Sequence, residues 1–88
     1  MIVKNMINCI IINGHTMTDC DIDIPVEATL GEVISDLVRV GFMDEDITVA
    51  PIVFYNKDNG VVYKERNMTI EECGWEDGQT LVAVYYAS

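Results

Sequence analysis

Positive charge is scarce in this 88-residue chain. Five Lys and Arg residues stand against fifteen Asp and Glu residues, which gives a formal net charge of −10 and leaves a pI near 4.1. Nucleic acids and anionic membranes attract proteins through basic clusters that neutralise phosphate. We therefore expect no nucleic-acid binding, and an acidic surface that attracts basic proteins.

Long apolar runs and paired cysteines are also missing. The longest apolar stretches, residues 9–12 and 81–87, are far shorter than the ~20 residues of a membrane-spanning helix. The N-terminus has no signal-peptide pattern, and three cysteines, an odd number, do not make a disulfide framework. These absences predict a cytoplasmic protein without direct membrane insertion.

The sequence contains no recognisable catalytic or metal-binding pattern. Its single histidine, His15, follows a hairpin glycine and is interpreted as an exposed turn residue. A hydrolytic site needs a nucleophile, a base and an orienting group, and a zinc site needs closely spaced ligands. Asp19, Asp21 and Asp23 lie on one strand face without the glycine-containing loop of a calcium site. We expect no enzyme activity, no cofactor and no metal.

The N-terminal third predicts a β-hairpin with two alternative registers. A Gly14-His15 loop would place Cys9 opposite Cys20, whereas an Asn13-Gly14 loop would place Cys9 opposite Thr18. Either way, alternation puts one set of side chains on the buried face: Ile7, Cys9, Ile11, Cys20, Ile22 and Ile24. Cys9 and Cys20 are interpreted as small core residues, with a cross-hairpin disulfide as the alternative.

The remaining sequence predicts one long helix and three further strands. Thr29 and Glu32 form a capping-box pattern that starts a helix over residues 29–40, ending at Gly41. Strands are predicted at 52–55, 61–63 and 80–86, with a short capped helical turn at 69–73. Trp75 is expected in the core with its indole N–H on a backbone acceptor. The order is that of an α+β domain, a mixed four- to five-stranded sheet with one helix packed across one face.

Residues 69–84, TIEECGWEDGQTLVAV, carry the most specific pattern. A capped turn, a glycine, a buried apolar residue, a tight turn and a Thr-Leu strand start follow one another there. The segment from Ile24-Pro25 to Thr29-Leu30 adds a strand end and a helix start. Together they resemble the ubiquitin-like β-grasp fold. The length of 88 residues and the lack of a linker predict a single domain over residues 1–88, and the resemblance begins at residue 6, so residues 1–5 are expected to be a loose N-terminal extension.

Within that fold, three segments resemble the bacterial YukD/EsaB family, small ubiquitin-like proteins associated with type VII secretion. They are DIDIP at 21–25, YNKD at 55–58 and ECGWEDG at 72–78. One segment, RNMTIEECG at 66–74, is similar to the small ubiquitin-fold subunit of bacterial multicomponent monooxygenases. The first resemblance implies an accessory component of a secretion system, and the second implies an oxygenase subunit without catalytic residues.

The C-terminal sequence bears on conjugation. Conjugated ubiquitin relatives and sulfur carriers end in a di-glycine whose carboxylate is adenylated, whereas this sequence ends VYYAS and contains no Gly-Gly. We therefore do not expect conjugation or sulfur transfer.

A second set of apolar residues is predicted on the sheet face opposite the helix. One helix covers only one face of a sheet, so this set would be exposed. A contiguous apolar patch of this kind is typical of an interface, and ubiquitin uses the corresponding face for recognition. The predicted protein-binding residues are Ile10, Ile12, Val53, Tyr55, Val82, Val84 and Tyr86. The expected occupant is a larger protein partner. A second copy of the chain and coverage by residues 1–5 are the alternatives.

Overall fold

A computed structural model of the chain describes residues 5–44 and 51–85. The elements are β1 (Met6–Asn13), β2 (Asp19–Pro25), α1 (Leu30–Arg39), β3 (Ile52–Asn56), β4 (Val62–Tyr63), α2 (Ile70–Cys73) and β5 (Thr80–Tyr85). The predicted order of elements is confirmed. Residues 1–4 lie outside the described part, so the single domain over 1–88 and the loose extension at 1–5 stay predictions.

The five strands form one mixed sheet in the order β2-β1-β5-β3-β4. The first and last of the described strands, β1 and β5, pair in parallel at its centre, with Ile11 beside Leu81. All other neighbouring strands are antiparallel. Both strands are nearly continuous apolar runs, so they provide apolar side chains to both faces of the sheet.

The β1–β2 hairpin has neither predicted register. Cys9 pairs with Ile22 and Cys20 pairs with Ile11, so the two cysteines do not face each other. The cause is the Asn13 side chain, whose Oδ1 accepts hydrogen bonds from the backbone N–H groups of His15 and Thr16. This turn, typical of asparagine, lengthens the loop to residues 14–17. The predicted division of side chains between the two faces is unaffected, because the observed register differs from both predicted ones by an even number of residues.

Helix α1 begins and ends as predicted. The Thr29 hydroxyl accepts from the Glu32 backbone N–H at 3.2 Å, and the Glu32 carboxylate accepts from the Thr29 N–H at 2.8 Å. Gly41 follows the helix at φ +82°, a conformation that favours glycine. The buried residues recur at the spacing of one helical stripe: Leu30, Val33, Ile34 and Leu37.

Helix α2 is a single turn with the same kind of cap, formed by Thr69 and Glu72. The two caps are joined, because Thr29 and Thr69 form an isolated antiparallel bridge. Gly74 ends the turn at φ +75°. The bridge fixes the start of α1 against the start of α2, so both helices meet the sheet on the same side.

The core lies between α1, α2 and one face of the sheet. Trp75 is 4% exposed and meets the rings of Phe54 and Tyr63 edge-on, at centroid distances of 5.3 and 5.7 Å. Its predicted burial is confirmed, but the predicted backbone acceptor is wrong: no described residue accepts from its Nε1. The neighbouring carbonyl of Cys73 already accepts from the Tyr63 hydroxyl at 3.2 Å.

No helix within residues 5–44 and 51–85 is long and apolar enough to cross a membrane.

Candidate functional site: the open face of the sheet

The open face is the side of the sheet opposite α1 and α2, and strand register defines its members. Ile12 lies beside Val82 in the parallel pair, and Val82 lies beside Tyr55 in the antiparallel pair. Paired residues on neighbouring strands point to the same face. The described residues of this face on β1, β5, β3 and β4 are Met6, Asn8, Ile10, Ile12, Thr80, Val82, Val84, Val53, Tyr55 and Val62.

Six of the seven predicted binding residues are brought together on this face. Ile10, Ile12, Val82 and Val84 are half-buried, and Tyr55 is 39% exposed. The seventh, Tyr86, lies outside the described residues. Tyr55 and the β1 and β5 side chains therefore offer the accessible apolar surface.

Val53 differs from the other five. It pairs with Val84 on the open face, yet only 4% of it is exposed. It is also absent from the cluster of buried residues that forms the core on the other face. Val53 therefore underlies the surface and gives a partner little to contact directly.

Two features of the face were not predicted from sequence. Val62 on β4 is 47% exposed and pairs with Tyr55, which extends the apolar surface to the edge of the sheet. The predicted pairing of strands 61–63 and 52–55 could have identified Val62, because alternation along both strands decides which side chains share a face. Gly14 packs against Val84, at the opposite end of the face. A Cβ at Gly14 would lie 2.4 Å from Cγ1 of Val84, so only glycine lets the loop backbone pack against that valine.

The β2 edge of the open face is acidic. Asp21 pairs with Ile10 and Asp19 pairs with Ile12, so these carboxylates share the face with the apolar strip. Asp23, opposite Asn8, completes the row. The face thus has an apolar centre and one negatively charged border.

A hollow of about 530 Å³ lies beside the hairpin loop, where His15, Phe42 and Tyr85 are among its lining residues. The His15 Nε2 accepts a hydrogen bond from the Tyr85 N–H at 3.0 Å, and the two ring centroids lie 4.6 Å apart with the ring planes tilted by 37°. The Tyr85 hydroxyl accepts from the Asp44 N–H at 3.0 Å and donates to the Asp44 carbonyl at 3.2 Å. His15 is exposed, as predicted, but it also ties the hairpin loop to the end of β5.

The three cysteines lie on the covered side of the sheet or in α2, and all are free thiols. Burial raises the pKa of the Cys9 and Cys73 thiols from 9.0 to about 11, and it also raises the pKa of Cys20. The Cys9 thiol donates to the Glu76 carbonyl at 3.7 Å. A raised pKa keeps a thiol protonated and unreactive, which favours the packing interpretation over redox chemistry.

Within residues 5–44 and 51–85, no group of three His, Cys, Asp or Glu side chains is arranged to hold a metal ion.

Neither a family model nor a curated protein sequence matches this chain. Solved structures do resemble it. The ubiquitin-like domain of yeast Ddi1 superposes with a TM-score of 0.70 at 18% identity, covering 100% of this chain and 98% of that one. A ubiquitin-like domain from tubulin-binding cofactor B gives 0.71 at 16% identity, covering 94% and 92%. Ubiquitin from Caldiarchaeum subterraneum gives 0.69 at 15% identity, covering 96% and 98%.

At these identities the likeness concerns the fold alone. It agrees with the strand order, with the parallel pairing of β1 and β5, and with a helix packed across one face. The chain has the ubiquitin-like β-grasp fold, with a mixed five-stranded sheet.

Proposed function

We propose that this chain is a protein-interaction module that binds a larger protein through the open face. The observation that carries the proposal is the register of the three central strands, which aligns Ile12, Val82 and Tyr55 on the face opposite both described helices. Contiguous apolar side chains on a small domain are typical of interfaces. Binding through them needs no catalytic residue of the chain.

The proposed mechanism is burial of apolar side chains at the centre of the interface. Ile10, Ile12, Val82, Val84 and Tyr86 would form that centre. Tyr55 is the most suitable anchor among the described residues, because aromatic side chains bury a large area at a low cost in conformational entropy. Polar residues at the border would complete the rim.

For the cellular setting, we propose a cytoplasmic component or accessory of a type VII secretion system. The support is the resemblance of DIDIP, YNKD and ECGWEDG to the YukD/EsaB family. The alternative is an accessory subunit of a multicomponent monooxygenase, supported by the single segment at 66–74.

The first experiment is a capture from native lysate with wild type and Val84→Asp as parallel baits, read by mass spectrometry. We expect Val84→Asp to lose the partners that wild type captures, because a carboxylate at the centre of an apolar interface is desolvated without a counter-charge. A secretion ATPase among those partners would support the first setting, and a diiron hydroxylase would support the second.

Two further variants distinguish a loss of binding from a loss of folding. Tyr55→Ala removes an exposed anchor and should weaken binding of a purified partner by about 30-fold or more, a hot-spot effect of about 2 kcal/mol. Val40→Asp introduces the same charge at a residue 71% exposed beyond the end of α1 and should bind normally. Normal binding by folded Val84→Asp and Tyr55→Ala would contradict the proposal.

A further inference from the structure

Among the described strand residues of the open face, charged side chains occur on β2 alone. β2 is an edge strand of the sheet, and its three aspartates occupy every second position. Asp21 and Asp19 lie directly beside Ile10 and Ile12, at the ~5 Å Cβ separation of cross-strand neighbours. The acidic row therefore borders the apolar strip along the length of β1.

Asn8 holds two of these carboxylates over the sheet. Its Nδ2 donates to Oδ1 of Asp21 at 2.5 Å and to Oδ1 of Asp23 at 3.0 Å. Here a side chain of the neighbouring strand draws them inward, toward the strip. Because Asn8 is neutral, the negative charge remains.

No basic side chain belongs to this half of the face. The sequences of β1, β2 and β5 (MINCIIIN, DCDIDIP and TLVAVY) contain no Lys or Arg. Lys57 and Lys64 follow β3 and β4, at the opposite side of the sheet. Negative charge therefore lies along one border of the open face, the border formed by β2.

From this arrangement we infer that the segment bound on the open face has an apolar ridge with Lys or Arg along one flank, and that the basic flank lies over β2. The inference rests on the proposed function and adds the chemistry and orientation of the partner. A second copy of the chain fits poorly, because each copy carries a formal charge of −10.

The two parts of the face have different effects on binding. Burial of the apolar ridge supplies most of the affinity, because it lies at the centre and excludes water. Charges at the rim mainly accelerate association and discriminate against partners of the wrong charge, and salt screens them. A partner of this kind binds faster, and more tightly, at low ionic strength.

Two synthetic 18-residue amphipathic peptides test the inference. Both carry the same leucine ridge, and one has lysines along one flank where the other has glutamates. The lysine peptide should saturably shift the amide NMR signals of Ile12, Val82 and Val84, and its affinity should fall about tenfold between 50 and 300 mM salt. The glutamate peptide should not bind.

Matched charge variants locate the effect. The triple variant Asp19→Asn, Asp21→Asn, Asp23→Asn should weaken lysine-peptide binding about tenfold and remove most of its salt dependence. Asparagine can still accept from Asn8, so the strand contacts are kept. The control Glu27→Gln, Glu65→Gln, Glu71→Gln changes net charge by the same amount at exposed positions outside the sheet and should bind like wild type.

The outcomes separate the two proposals. Equal binding of both peptides, or equal weakening by both triple variants, would overturn the inference. If Val84→Asp still abolished binding in that case, the proposed function would stand. Unchanged binding by folded Val84→Asp, with signal shifts only on β2, would overturn both, because the peptide would then be held by charge alone.

Discussion

The two faces of this sheet are made by the same strands, yet they differ in what covers them. Ile11 is fully buried against the core, whereas Ile12, the next residue of β1, is only half-buried on the open face. Both are isoleucines in one regular strand. Strand alternation decides which side chains share a face, and the position of the helices decides which face becomes the core.

The largest expected effect of this difference between the faces is on stability, and it is tested by comparing Ile11→Ala with Ile12→Ala. Ile11→Ala should reduce the free energy of unfolding by about 3 kcal/mol, since it removes buried methyl groups and leaves a cavity. Ile12→Ala should cost about 1 kcal/mol or less, because its side chain remains partly hydrated. Urea denaturation measures both. Equal losses would show that the open face is covered in solution.

Gly14→Ala tests the close contact at the end of the open face. Its new Cβ would lie 2.4 Å from Cγ1 of Val84 and 3.2 Å from the Ala83 carbonyl oxygen, and overpacking of this kind costs about 1–3 kcal/mol. Val84→Ala removes the nearer atom, so the double variant should be more stable than the sum of the two single effects predicts. Thermal or urea unfolding of all four proteins gives the coupling. Additive losses would rule out this contact as the cause.

A smaller effect concerns the thiols of the covered side. Cys9 and Cys73 have pKa values of about 11 in the folded chain against 9.0 ordinarily, so the unfolded chain loses these protons first as pH rises. Stability should therefore be unaffected below pH 9 and fall between pH 9 and 11, by about 1 kcal/mol per thiol at pH 10.

Cysteine variants isolate that contribution from other groups that titrate at high pH. Cys9→Ala should show a smaller fall in unfolding free energy between pH 7 and pH 10 than wild type. Ser35→Ala, at an exposed position of α1, should show the same fall as wild type. A Cys9→Ala protein with the full pH dependence would contradict the raised pKa.

The sequence predicted the local features of the fold well. Thr29 and Glu32 define the start of α1 through contacts only three residues apart, and alternation in β1 and β2 divided their side chains correctly between the two faces. Such features depend on neighbouring residues, so a single sequence contains them.

The structural features that the sequence did not predict depend on which of several possible partners a group binds. Asn13-Gly14 predicts a two-residue turn, but the Asn13 side chain binds the loop backbone and lengthens it. The contact of His15 with Tyr85 joins residues 70 positions apart, and no local pattern indicates it. For the open face, six of the seven predicted residues share it, but the sequence indicated neither that Val62 extends it nor that Val53 lies beneath the surface.

The pairing of β1 with β5 also affects how the domain forms during synthesis. Ile11 leaves the ribosome before its inner neighbour Leu81, which is made 70 residues later. Until then the nascent chain has a β1–β2 hairpin and a helix but lacks the strand that joins them to β3. Contacts so distant in sequence are slow to close, and the exposed apolar side of β1 is prone to aggregation while it waits. Folding is therefore expected to be completed only after residue 85 has emerged.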